Sequence, residues 1–159
     1  MQNAIYKGKI YDADHYSDVG EKSIIIRSKY EQEEAGFLPF GNGRYYKYVS
    51  PKEIEAFYSY YCYAVFNNVK CSIYGVADDM STMAFEERGR TLLDRYKPVS
   101  QIENGCYLYE NIPLRDADCF EIEFDYGEKP CFDRTVKTTI ERYTYQEFVD
   151  KYRELVLDV

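Results

Sequence analysis

Ala4-Ile5-Tyr6-Lys7-Gly8-Lys9-Ile10-Tyr11, near the start of the chain, has a partial copy in Ala64-Val65-Phe66-Asn67-Asn68-Val69-Lys70-Cys71-Ser72-Ile73-Tyr74. Ala4-Ile5-Tyr6 corresponds to Ala64-Val65-Phe66, and Ile10-Tyr11 to Ile73-Tyr74 after a slightly longer turn. Further along, Gly43, Tyr45, Pro51 and Tyr58 match Gly105, Tyr107, Pro113 and Phe120 at one constant offset. Self-similarity at a fixed period marks a repeated unit. The chain therefore reads as two units, 4–61 and 64–126. Units of about sixty residues bury too little apolar surface to be more than marginally stable alone, so a single compact domain over 1–159 is expected.

Each unit opens on a hairpin, with turns at Lys7-Gly8 and Asn67-Asn68, residue types that tolerate positive φ. A third strand follows, clear at Ser23-Ile24-Ile25-Ile26-Arg27 and weaker around Ser81 to Phe85. A short helix is expected next, Glu31 to Ala35 stopped by Gly36 in the first unit. Its counterpart is Glu86 to Tyr96, where Leu92, Leu93 and Tyr96 would share a face. A strand, a Pro-marked turn and another strand complete the unit. Ser50-Pro51-Lys52-Glu53 has the form of a capping box, which predicts a brief helical turn before a strand from Phe57 to Phe66. The tail, 137–156, reads as a strand from Lys137 to Tyr143. A second capping box, Thr144 to Glu147, then starts a helix carrying the apolar stripe Phe148, Tyr152, Leu155 and Val156. The expected class is α+β, mostly β: two tandem SH3-like small barrels or sheets closed by a C-terminal strand and helix.

The 159 residues include 45% hydrophobic and 30% charged side chains, an ordinary globular balance. The net charge of −8 disfavours phosphate backbones and anionic membranes and favours a basic partner. The N-terminus has no basic segment followed by an apolar run, and no stretch is apolar for long enough to span a bilayer. A cytoplasmic location is the expectation. Cys62, Cys71, Cys106, Cys119 and Cys131 are odd in number, widely spaced and accompanied by one histidine, His15. They read as reduced apolar residues, with no metal and no cofactor.

Two stretches are candidates for partner binding. Phe120-Glu121-Ile122-Glu123-Phe124-Asp125-Tyr126 alternates, so a strand would aim Glu121, Glu123 and Asp125 outward along one exposed face, with Asp116 and Asp118 nearby. Carboxylates two apart on a strand stand roughly 7 Å apart along it, too far for all three to converge on one hard cation. The second stretch is Phe57-Tyr58-Ser59-Tyr60-Tyr61-Cys62-Tyr63, in a chain with 19 tyrosines and no tryptophan. Neither face of this run is polar, which fits a strand buried on both sides, with Tyr61 and Tyr63 as the exposed members suited to an interface. Asp78-Asp79 and Glu86-Glu87 are adjacent acids whose side chains diverge. His15 falls in the polar run Asp12 to Asp18, read as a loop. No Gly-rich phosphate loop or nucleophile elbow occurs, so the chain reads as a binding protein and not an enzyme.

Ala-Ile-Tyr-Lys-Gly-Lys at 4–9, Gly36-Phe37, and Tyr45-Tyr46-Lys47-Tyr48-Val49-Ser50-Pro51-Lys52-Glu53-Ile54, followed by a second copy, resemble small tandem-repeat immunity proteins encoded beside bacterial polymorphic toxins. The resemblance covers residues 4–124. The second copy departs from it, with Ile112-Pro113-Leu114-Arg115-Asp116 in place of the capping box. It implies an antitoxin of the kind used in contact-dependent inhibition, which binds a basic toxin or nuclease domain stoichiometrically, with no direct contact to nucleic acid. Two other readings stay open. One is a phage-encoded anti-CRISPR or anti-restriction inhibitor whose acidic face mimics nucleic acid; the other is a small ligand-binding barrel or enzyme.

Overall fold

A computed structural model describes residues 2–16, 23–31, 36–102, 105–127 and 136–157. It is mostly β. The strands are β1 (Gln2–Tyr6), β2 (Lys9–Tyr16), β3 (Ser23–Ser28), β4 (Leu38–Pro39), β5 (Tyr45–Val49), β6 (Ile54–Phe66), β7 (Val69–Val76), β8 (Thr82–Arg88), β9 (Ser100–Ile102), β10 (Cys106–Pro113), β11 (Cys119–Gly127) and β12 (Val136–Tyr143). The helix α1 (Tyr145–Tyr152) runs into a π-helical turn, Arg153–Leu157. The chain divides into two compact units. The first holds Met1–Tyr60, Phe124–Thr139 and Lys151–Val159, the second Tyr61–Glu123 and Ile140–Asp150.

In the first unit the paired strands run β4-β5-β3-β2-β1-β6, and in the second β6-β7-β8-β10-β9. The pairing order of β1 to β5 is thus the pairing order of β6 to β10. Both hairpin turns have two residues, Tyr6 facing Lys9 and Phe66 facing Val69. Lys7 and Gly8 at φ 50° and 72°, and Asn67 and Asn68 at 47° and 68°, give the left-handed pair that matches strand twist. The expected longer second turn is therefore a misreading. Ala4 pairs with Tyr11 as Ala64 pairs with Cys71, so the counterpart of Ile10-Tyr11 is Lys70-Cys71 and not Ile73-Tyr74.

Three further expectations give way. The strand order is open, and among the described residues no pairing closes either run into a barrel. The terminal strands β4 and β9 have only two and three residues, too little ladder to complete a barrel wall. Glu86 to Tyr96 is not a helix: β8 continues to Arg88, Gly89 turns the chain at φ 130°, and a single turn closes from Leu92 O to Arg95 N and Tyr96 N. Asp12 to His15 belongs to β2, because Tyr11 and Ala13 alternate into the core while Asp12 and Asp14 face out beside β3. In the first expected helix, Glu31 to Ala35, residues 32–35 lie outside the described residues, as does Cys131.

Other local readings hold. Ser50 to Glu53 forms one turn, with Glu53 Oε2 accepting from Ser50 N at 2.7 Å. Glu147 Oε2 accepts from Thr144 N at 2.8 Å, which stops the start of α1 from fraying. The first unit packs Ala4, Tyr6, Tyr11, Ile24, Ile26 and Ile54 into one core. In the second, Phe66 and Phe85 lie 5.1 Å apart, as do Phe85 and Tyr109, and Phe120 stacks on Phe148 at 4.1 Å.

Burial pushes the Tyr58 phenol and the Cys62 and Cys71 thiols up to about 12. Tyr96 is also raised to about 12, first by burial and then by its bond to Asp116. These groups hold their protons more tightly folded than unfolded. Their contribution to stability is complete below the unfolded values, about 8.5 for a thiol and about 10 for a phenol, and is lost as pH rises toward 12. The melting temperature is therefore expected to fall steeply above about pH 9.5. Thermal melts across an alkaline series check this, and a melting temperature level through that range would contradict it.

Candidate functional site

The face presented by β6, β7 and β8 in the second unit is built by register. Tyr63 lies opposite Ser72, and Ser72 opposite Glu86. With Lys70 and Arg88 these side chains line a groove of about 380 Å³. Lys70 is its hub. Its Nζ sits 3.9 Å from the centre of the Tyr63 ring, 3.2 Å from Glu121 Oε2 and 3.7 Å from Glu123 Oε2. A lysine so placed combines a cation–π contact with two ion pairs.

The acidic strand is consequently not the free exposed row that alternation predicts. Glu121 and Glu123 do share the outward face of β11, but their side chains are only 22% and 26% exposed. Glu121 Oε1 also lies 3.8 Å from Arg142 Nε, contributed by β12. Asp125, in the first unit, accepts from Thr138 Oγ1 at 2.7 Å. Asp116 Oδ2 accepts from the Tyr96 hydroxyl at 2.9 Å, and Asp118 Oδ2 accepts from Asn67 N at 2.6 Å, securing the hairpin turn. All five candidate carboxylates have partners within the chain. β11 is flanked by β6 and β12, whose neighbourhoods supply the cations; a one-strand reading has no access to them.

The two tyrosines separate. Tyr61 is exposed and Tyr63 half-buried under Lys70. Tyr58 and Tyr60 are buried, as the doubly apolar run predicts. Tyr74, absent from the sequence candidates, is 61% exposed and donates to Glu86 Oε2 at 3.0 Å. The Glu86 carboxyl is held below its usual range, first by the Cys106 thiol and then by Tyr74 and the Arg88 charge. It is therefore ionised at neutral pH and acts as an acceptor rather than a proton donor. Lys70, Ser72 and Tyr74 were legible as an outward period-two row once the turn was known to have two residues.

Among the described residues no three His, Cys, Asp or Glu side chains are grouped to hold a metal ion. No helix among them is long and apolar enough to cross a membrane. Comparison with protein-family models, with curated proteins and with solved structures finds no match for the chain.

Proposed function

We propose that this chain is an immunity protein, which neutralises a cognate bacterial toxin domain, foremost a basic nuclease, by forming a stoichiometric complex in the cytoplasm, without catalysis of its own. The observation that carries the reading is the groove face of the second unit. Tyr61 and Tyr63 on β6 and Tyr74 on β7 accompany Lys70 on β7 and Glu86 and Arg88 on β8. Tyrosine and arginine are the residue types enriched at the energetic centres of protein interfaces. The matching pairing order of β1 to β5 and β6 to β10 supports a tandem duplication over 4–61 and 64–126, the organisation that the resemblance implies, although the SH3-like barrel does not follow from it. Engagement of Glu121 and Glu123 by Lys70 and Arg142 weighs against this strand as a nucleic-acid mimic, and so against the anti-CRISPR or anti-restriction alternative.

The test pairs the chain with the product of its neighbouring gene. Co-expression is expected to relieve growth arrest by that product, and the purified proteins should form a one-to-one complex. Tyr61→Ala should weaken the complex about tenfold or more while leaving the melting temperature unchanged, since an exposed aromatic contributes far more to an interface than to the fold. No complex and no relief of growth arrest would defeat the reading.

A further inference from the structure

Register lays an equivalent row of residues across each unit. In the first, Asn3 faces Asp12, Asp12 faces Arg27, Arg27 faces Tyr46 and Tyr46 faces Leu38. In the second, Tyr63 faces Ser72, Ser72 faces Glu86, Glu86 faces Leu108 and Leu108 faces Ser100. Two residues past Arg27 comes Lys29, and two past Glu86 comes Arg88. A cavity opens at the same place on both rows. Asn3, Asp12, Arg27 and Lys29 line part of a cleft of about 220 Å³, and their counterparts Tyr63, Ser72, Glu86 and Arg88, with Lys70, line the groove of about 380 Å³.

The cleft of the first unit receives the end of a helix. Leu155 and Val156, in the π-helical turn after α1, form part of its wall. Leu155 is buried, and its carbonyl accepts from Asn3 Nδ2 at 3.0 Å and from the Tyr60 hydroxyl at 3.3 Å. Val156 O accepts from Lys29 Nζ at 2.8 Å. The last carbonyls of a helix have no partner within it and together carry roughly half a negative charge. An amide, a hydroxyl and an ammonium therefore hold this helix end on the sheet. Among the described residues, the groove of the second unit is lined by side chains of β6, β7 and β8 alone. It offers donors of the same kind, with the exposed Arg88 guanidinium at the position of Lys29 and the exposed Ser72 hydroxyl beside it.

We propose that the groove of the second unit takes a helix C-terminus of a basic protein partner, docked as Leu155 and Val156 dock in the first unit. Arg88 and Ser72 donate to its last carbonyls, a basic side chain of its last turn pairs with Glu86, and an apolar one packs on Tyr74. This rests on the toxin reading and names the element that the groove recognises. Charge complementarity selects the occupant. The second unit holds 14 Asp and Glu against 7 Lys and Arg, so it carries −7 of the net −8, and Lys and Arg are favoured in the last turn of a helix. Within the groove the Lys70 charge is matched by Glu121 and Glu123. That leaves Arg88 for the carbonyls and the ionised Glu86 for the cation, opposite charges side by side as on a helix end with a basic residue. The 61% exposed Tyr74 ring is fixed beside them by its bond to Glu86.

Fluorescence anisotropy with the whole chain tests it. The probe is a labelled peptide whose last turn reads Leu-Val-Lys with an amidated end, lactam-bridged because a free helix of about fourteen residues is marginal in water. The control carries the same turn at its N-terminus. The probe is expected to bind saturably and the control about tenfold less tightly. Arg88→Glu and Ser72→Phe, one reversing the charge and the other filling the groove from an exposed site, should each cost about tenfold with melting unchanged. Arg44→Glu, in the cleft of the first unit, should leave binding as it was. Failure to saturate, equal binding of the control, indifference to both groove variants, or loss of binding in Arg44→Glu instead would each overturn the proposal. The two readings fail separately. A probe that binds as expected beside a failed complex with the neighbouring gene's product defeats the toxin reading alone, whereas a one-to-one complex that Arg88→Glu and Ser72→Phe leave intact defeats the groove alone.

Discussion

Replacing Glu87 with alanine is expected to lower the stability of the second unit by about 3–5 kcal/mol, the range found when one partner of a buried charged network is removed. Glu87 is fully buried at the end of β8. Its Oε1 accepts from Thr91 N at 2.7 Å and Leu92 N at 3.2 Å, and its Oε2 accepts from the Tyr109 hydroxyl at 3.0 Å. Burial first, and then this carboxylate, raise the Tyr109 pKa, so the phenol stays protonated and keeps donating. Alanine would strand two buried donors, Leu92 N and the Tyr109 hydroxyl, and release the turn that seats the buried Leu92. Glu87→Gln should cost less, about 2 kcal/mol, because the amide keeps one acceptor but aims an N–H₂ at groups that are themselves donors. Urea unfolding of the two variants checks the ranking. A loss below about 1 kcal/mol for alanine would mean that the carboxylate does not organise this turn.

Phe148→Ala is expected to cost a further large amount, about 3–5 kcal/mol, as for other fully buried phenylalanines. Phe148 is completely buried and stacks on Phe120 with ring planes 8° apart. The eight-residue α1 is too short to hold itself together in water, so docking through Phe148 and the buried Val149 is what makes it a helix. Loss of the ring should therefore appear in two measurements: a lower denaturation midpoint and faster amide exchange along 145–152. Phe148→Leu, which keeps most of the volume, should retain much of both. Unchanged exchange in the alanine variant would show that the helix is held by other contacts.

Much of the fold was legible because it rests on short-range rules. The positive φ demanded at Lys7-Gly8 and Asn67-Asn68, the alternation of β11, the Thr144–Glu147 cap and the apolar stripe behind it are properties of neighbouring residues, and they survive into the structure. The misread segments are those in which a distant group competes with local preference. Glu86 to Tyr96 has a helical pattern, yet β8 pairs with β7 and β10 while the Glu87 carboxylate captures the next amides.

The candidate site divides along the same line. Alternation by itself determined that Glu121 and Glu123 share a face, and the doubly apolar run fits the burial of Tyr58 and Tyr60, whereas of the two tyrosines expected to be exposed Tyr61 is and Tyr63 is half-buried under Lys70. Only the tertiary structure decided that Lys70, about fifty residues away in sequence, stands between those carboxylates and Tyr63. It also decided that Leu38, Tyr46, Arg27 and Asp12 form one row across four strands. The physical reason is that strand periodicity specifies which way a side chain points, whereas strand order and register specify what it meets, and these are set by pairing energies summed over whole ladders that no single segment contains.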